Sequence, residues 1–306
     1  MTPEQVLSYK PNVLTQRQRE SYFESGYLLL ERIIPTEIIE RLRRVTAEKV
    51  EETRRLTKSD AVWDLEPGHN ANKPKLRRLS SPCDHHPAYW DYATRPLVLD
   101  IVTDLVGPNV KFHHSKLNFK ASDGGAEVKW HQDIQFWPHT NYSPLTVGTY
   151  LYDCGPEQGP LGIIPGSQNG ELFDQYDEKR QWISCISAKD LSRLNLSKAE
   201  YLMGPAGSLT IHNCRTVHGS RENASLEGRP LFLVTYSSAD AMPYTHNPLQ
   251  SRYMGRIIRG SPARSAHHDP RPCPLPPDWS GGYSSIFALQ QQEDWAKGAP
   301  VRADAE

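Results

Sequence analysis

Apolar positions recur at helical spacing near the start of the chain. Residues 15–24 read as a helix, with Thr15 as N-cap, Gln18 placed to close a capping box and Gly26 as the stop. Tyr27-Leu28-Leu29-Leu30 then forms a short apolar run that predicts a buried strand. A longer helix is predicted over 36–55, capped by Thr36, with Ile38, Ile39, Leu42 and Val45 along one face and a solvated Glu/Arg face opposite. From residue 65 to 89 the periodicity fails: Pro67, Gly68, Asn70, Asn72, Pro74, Pro82 and Pro87 interrupt it, which predicts an extended loop. A third helix around 96–105 ends at Gly107-Pro108.

From residue 110 to 238 the pattern changes to short apolar runs bounded by glycine and proline. Strands are predicted at 110–120, 145–152, 161–164, 208–212, 216–220 and 231–236. Residues 172–202 read as a partly helical insertion, with Ser197 as a cap. After Pro243 the chain turns loop-like, a proline- and glycine-rich stretch at 261–282 wraps the surface, and a short helix is predicted near 285–295. The expectation is one domain spanning residues 1–306. It comprises a helical part over 12–106, a β core over 110–238 and a C-terminal wrap over 239–306.

Composition narrows the partner. Hydrophobic residues are 37% of the 306, enough for a real core, and 35 Lys and Arg against 36 Asp and Glu give a net charge of −1. Such a balance exerts no pull toward nucleic acid or an anionic membrane, so a small molecule is the expected partner, while the oligomeric state stays open. Five scattered cysteines form no CxxC pair and no disulfide framework. With no signal-peptide pattern after Met1 and no apolar run of membrane-spanning length, a soluble cytoplasmic protein is expected.

The candidate chemistry centres on Trp130-His131-Gln132-Asp133. On a strand, residues i and i+2 share a face, so His131 and Asp133 can reach one metal ion, with His218 from a later strand as the third ligand. Two imidazoles and a carboxylate leave coordination positions open, an arrangement that selects iron(II) in oxygenases. The His-x-Asp pair alone is weak, because His267-His268-Asp269 fits the same spacing in a proline-rich segment that reads as solvated surface. Arg229, before the strand at 231–236, is placed to pair with the distal carboxylate of 2-oxoglutarate if that strand neighbours the His218 strand; taken singly, it reads more readily as a strand-edge surface arginine. His212 is a rival to His218. His113, His114, His139 and His246 read as satisfied polar residues, and His85-His86 as surface.

Together these motifs resemble the phytanoyl-CoA dioxygenase family. Trp130-His131-Gln132-Asp133 is followed by Gly159-Pro160-Leu161-Gly162-Ile163-Ile164-Pro165-Gly166-Ser167, then by His218-Gly219-Ser220 with Asn223 and Arg229, after an opening Phe23-Glu24-Ser25-Gly26-Tyr27-Leu28-Leu29-Leu30. The resemblance implies a mainly β fold with flanking helices around a double-stranded β-helix (jelly-roll, cupin-like) core. It implies His131, Asp133 and His218 as iron(II) ligands, with 2-oxoglutarate and dioxygen as co-substrates. Arg229 and Ser220 then hold the distal carboxylate of 2-oxoglutarate, Asn118 and Lys116 of Lys116-Leu117-Asn118 also face that co-substrate, and Thr146 adds a hydroxyl. Trp137 is a candidate substrate contact. Because Asp133 keeps the carboxylate that halogenases on this scaffold lack, hydroxylation of an unactivated C–H bond is expected. The alternatives are desaturation, cyclisation or epimerisation, or a metal-bearing barrel that binds without oxidising.

Overall fold

The computed structural model describes residues 1–122, 125–283 and 285–291. Its strands are β1 (Tyr27–Leu30), β2 (Trp63–Leu65), β3 (Leu76–Ser80), β4 (Val110–Asn118), β5 (Val128–His131), β6 (Leu145–Tyr150), β7 (Leu161–Ile163), β8 (Glu200–Leu202), β9 (Leu209–Asn213), β10 (His218–Ser220), β11 (Leu231–Ser238) and β12 (Ile257–Arg259). They form a large sheet in the order β1-β9-β6-β11-β4-β3-β2, with β12 also paired to β4, and a small sheet in the order β5-β10-β7-β8. The two antiparallel sheets make the double-stranded β-helix expected from the sequence. Tyr150 ties them together: its hydroxyl donates to Leu202 O of the small sheet at 2.6 Å.

Alternation along the large sheet separates two environments. Phe232, Val234 and Tyr236 of β11, Leu145 and Val147 of β6, and Leu209 and Ile211 of β9 face outward and join one apolar core with Tyr89, Tyr92 and Ile101 from the helices. The residues between them include Thr235, Thr146 and His212, all buried on the other face and directed at the small sheet. The main apolar core therefore lies between sheet and helices, and the barrel interior mixes these polar groups with Leu231 and Leu233. That interior houses the site.

Most predicted elements are present with small boundary changes. The helix Gln16–Ser25 has the Thr15/Gln18 capping box and ends on Gly26 at φ +84°. The helix Thr36–Glu52 passes into a 3-10 turn over Thr53–Arg55, but Thr36 is its first residue and not its cap; Pro35 occupies that position without a side-chain bond. In the insertion, Asn195 and not Ser197 supplies the cap, and residues 200–202 join the small sheet as β8. The terminal helix Ile286–Gln291 falls within the expected one, of which residues 292–295 lie outside the described residues.

The main correction concerns residues 65–89. β3 pairs with β4 in this stretch, putting Arg78 opposite Asn118, and short helices Pro82–His85 and Pro87–Ala93 follow. Two of the prolines that suggested a loop, Pro82 and Pro87, sit at helix starts, where a missing N–H costs nothing, whereas Pro67 and Pro74 do lie outside helix and strand.

The N-terminal segment is fastened by one buried carboxylate. Asp104 accepts from the backbone N–H groups of Asn12, Val13 and Leu14 at 2.7–2.8 Å and from the Asn12 side chain at 2.8 Å. Asp104→Ala would strand these donors. It is expected to cost about 3 kcal/mol, read as a lower urea midpoint with an unchanged slope.

Candidate active site and metal centre

The site is built from the small sheet. β5 and β10 run antiparallel with His131 directly opposite His218, their ring centroids 4.1 Å apart. β5 ends at His131, and the chain then bends into a 3-10 turn over Asp133–Gln135, anchored by Ile134 N–H donating to Cys214 O at 2.8 Å. Asp133 thus reaches its position from a turn and not by strand alternation. One ligand atom from each of His131, Asp133 and His218 lies within 4.8 Å of the others, and all three residues are buried.

Each imidazole is oriented by its second nitrogen. Nδ1 of His131 faces the carbonyl of Lys129 at 2.8 Å, and Nδ1 of His218 faces that of Thr216 at 2.9 Å. A carbonyl only accepts, so each Nδ1 carries the proton, and each Nε2 turns its lone pair inward, 3.8 and 3.9 Å from Asp133 Oδ1. Burial pushes the His131 pKa down to about 4 and that of His218 well below its ordinary range, so both rings are neutral near pH 7. Burial works the other way on Asp133, raising its pKa. The Lys116 ammonium is the largest opposing influence, and with His212 also close by the carboxyl is held well below its ordinary range and stays ionised. Two neutral imidazole nitrogens and an ionised carboxylate oxygen are a donor set that fits iron(II).

The two oxygens of Asp133 face different neighbours. Oδ1 faces the ligand histidines and Lys116 Nζ, the latter at 3.8 Å. Oδ2 accepts from Thr146 Oγ1 at 3.4 Å and lies 3.5 Å from His212 Nε2. His212, the rival third ligand, therefore leans on the oxygen turned away from the triad, and neither of its ring nitrogens has another partner. Thr146 is held by Thr235 at 2.9 Å and does not line the cavity that Arg229 lines.

Beside the triad is a cavity of about 50 Å³ lined by Arg229, Ser220, Asn118, Lys116, His131 and His218, and closed by Phe287 of the terminal helix. Arg229 does not sit on a neighbour of the His218 strand, as the sequence suggested. It precedes β11, which pairs with β4 and β6 in the other sheet, and reaches the same cavity across the barrel. Its Nη2 donates to Gly159 O at 2.9 Å and its buried Nε has no partner. Nearby Lys120 donates to Arg221 O at 2.5 Å; burial, aided by the Arg229 charge, brings its pKa down to about 6.

On the other side of Asp133 a smaller space, about 20 Å³, is lined by Trp137, Phe136, Lys116, Arg78 and Tyr283. Among the candidates of the sequence, only Thr146 lies off both cavities. His113, His114 and His139 are buried around Trp137, and His139 Nδ1 bonds Trp137 O at 2.7 Å. His86 caps a helix, and Asp269 pairs with Arg271, so neither lookalike cluster joins the triad. Sequence reasoning missed Arg78 and the covering Ile286-Phe287 pair. The available signal for Arg78 was Leu76-Arg77-Arg78-Leu79, an unbroken stretch between the prolines.

The sequence profile of the family described as phytanoyl-CoA dioxygenase matches residues 22–231. The chain belongs to that family. It is 30% identical to a protein of Stutzerimonas stutzeri named as a probable alpha-ketoglutarate-dependent hypophosphite dioxygenase, over 76% of this chain and 81% of that one. It is 27% identical to the ectoine dioxygenase of Bordetella parapertussis, over 78% and 79%. The apo crystal structure of EctD from S. alaskensis superposes with a TM-score of 0.67 at 21% identity, covering 84% of this chain and 91% of that one, which shows the same fold. Family and donor set together make this chain an oxygenase dependent on iron(II) and 2-oxoglutarate. Among the described residues no helix is long and apolar enough to cross a membrane.

Two outcomes follow. His131 and His139, both pushed down to about 4 from 6.5 by burial, take up protons more readily in the unfolded chain. The metal-free protein is therefore most stable above pH 6.5 and loses stability as pH falls toward 4, at up to about 1.4 kcal/mol per pH unit for each ring. Urea midpoints at pH 7 and pH 5 measure this, and equal midpoints would contradict it. Separately, His212→Leu is expected to weaken iron(II) binding by roughly tenfold without unfolding the protein, because Asp133 Oδ2 loses a neighbour that orients it.

Proposed function

We propose that this enzyme hydroxylates an unactivated C–H bond of a small molecule, with His131, Asp133 and His218 holding iron(II). The observation that carries the reading is the convergence of the three ligand atoms within 4.8 Å at the wall of a cavity that also exposes Arg229 and Ser220. Iron(II) bound there supplies the reduction of dioxygen, in which one oxygen atom enters the C–H bond and the other oxidises 2-oxoglutarate to succinate and carbon dioxide.

The residues bind and orient. Arg229 has an unspent buried N–H and fixed charge, which suits bidentate capture of the distal carboxylate of 2-oxoglutarate, with the Ser220 hydroxyl beside it. Asn118 and Lys116 line the same space, and Lys116 also approaches Asp133 of the triad. Thr146, through its bond to Asp133, orients the carboxylate and does not touch the co-substrate. Trp137 walls the space on the other side of Asp133 and would meet the substrate. Ile286 and Phe287 exclude water. The intact carboxylate of Asp133 favours hydroxylation over halogenation, and the two relatives, with hypophosphite and ectoine in their names, favour small substrates.

The test is succinate formation from 2-oxoglutarate under air with added iron(II). Wild type should turn over slowly without substrate; His131→Ala and Asp133→Ala should lose this activity together with iron binding. Arg229→Gln should raise the KM for 2-oxoglutarate by about a hundredfold, with a smaller change in kcat. A wild-type protein that binds neither iron(II) nor 2-oxoglutarate sinks the reading.

A further inference from the structure

Arg77 and Arg78 are adjacent on β3, both buried, and their charges are treated differently. Arg77 is neutralised by Asp64, with Nη2 to Oδ1 at 2.9 Å. Arg78 has no carboxylate within ion-pair distance among the described residues. Its Nε donates to Asn118 Oδ1 at 2.9 Å, and its guanidinium lies 5.1 Å over the ring of Phe287. An arginine keeps its proton at any working pH, so this charge is fixed in a dry place.

Arg78 and Lys116 are shared by the two cavities flanking the triad. Iron(II) and 2-oxoglutarate are equal and opposite in charge, so their arrival leaves the balance of the site unchanged. Asp133 offsets one of the three cations Arg229, Lys116 and Arg78, so two positive charges stay uncompensated, and Arg229 is the one that faces the co-substrate's cavity alone. Arg78 then remains as surplus positive charge beside the small space walled by Trp137 and Tyr283. Burial without a counter-charge is costly, and a planar fork of donors fits a two-oxygen anion.

We infer that Arg78 is a specificity residue that binds the oxyanion of the substrate, which is a compact carboxylate or phosphorus oxyanion. The inference rests on the oxygenase reading above and names its substrate class. Lys116 supports the same anion from across the space.

The test is calorimetric titration of protein loaded with manganese(II) and 2-oxoglutarate, so binding is read without turnover. Propionate and the isosteric neutral propionamide form a matched pair, with hypophosphite as a second anion. Expected is propionate binding at least tenfold tighter than propionamide, and hypophosphite binding as well. Arg78→Gln should remove the propionate preference while changing the Kd of 2-oxoglutarate by less than threefold. Arg78→Lys, which keeps the charge without the fork, should retain part of the affinity and carries the test should Arg78→Gln not fold. Equal binding of propionate and propionamide overturns the assignment, as does failure of both anions to bind. So does an Arg78→Gln defect confined to 2-oxoglutarate, which would make Arg78 part of the co-substrate clamp. Wild type that takes up no manganese(II) or 2-oxoglutarate would instead sink the oxygenase reading, and this inference with it.

Discussion

Asp133 is 2% exposed, and burial alone would drive its carboxyl to the neutral form, useless as a metal ligand. It stays ionised because the Lys116 ammonium stands beside it, with His212 at its other oxygen. Much of the surrounding structure serves that requirement. β4 delivers Lys116, β9 delivers His212, β6 delivers Thr146, and the small sheet delivers the ligand histidines. The carboxylate itself enters from a turn, free to point one oxygen at the histidines and the other at Thr146 and His212.

The arrangement depends on an inverted distribution of polarity. The large sheet turns most of its apolar residues outward to helices and Thr146, His212 and Thr235 inward, so the main core and the reactive space are separated by one layer of backbone. Neutral imidazoles tolerate such an interior, whereas charged ones do not, which is why the site is both prepared for a metal near neutral pH and sensitive to acid.

Positive charge is the other feature of that interior. Arg229, Lys116 and Arg78 approach the triad from three strand regions against a single carboxylate, Asp133. A site of this kind is incomplete on its own. The iron(II) and 2-oxoglutarate that the family uses cancel in charge, so this positive excess is left for a further anion to meet.

The sequence by itself pointed to helices near 15–24 and 96–105, to six of the strands between 110 and 238 and to the triad residues, because each has a local signature: caps, glycine stops, short apolar runs and motif context; β8, inside the stretch read as a partly helical insertion, was not among them. It did not determine which strand lies beside which. Arg229 was tied to the wrong neighbour, since sequence distance says nothing about sheet order, yet it reaches the cavity across the barrel. The family resemblance offered Thr146 as a hydroxyl toward the co-substrate, and only packing shows that it meets Asp133. Arg78 was hidden, because proline punctuation marks helix starts and loops alike, and β3 exists only through pairing with β4. Local signals reflect the chain's own backbone preferences. Burial, pairing and charge balance are properties of residues far apart in sequence, and only the tertiary structure brings them together.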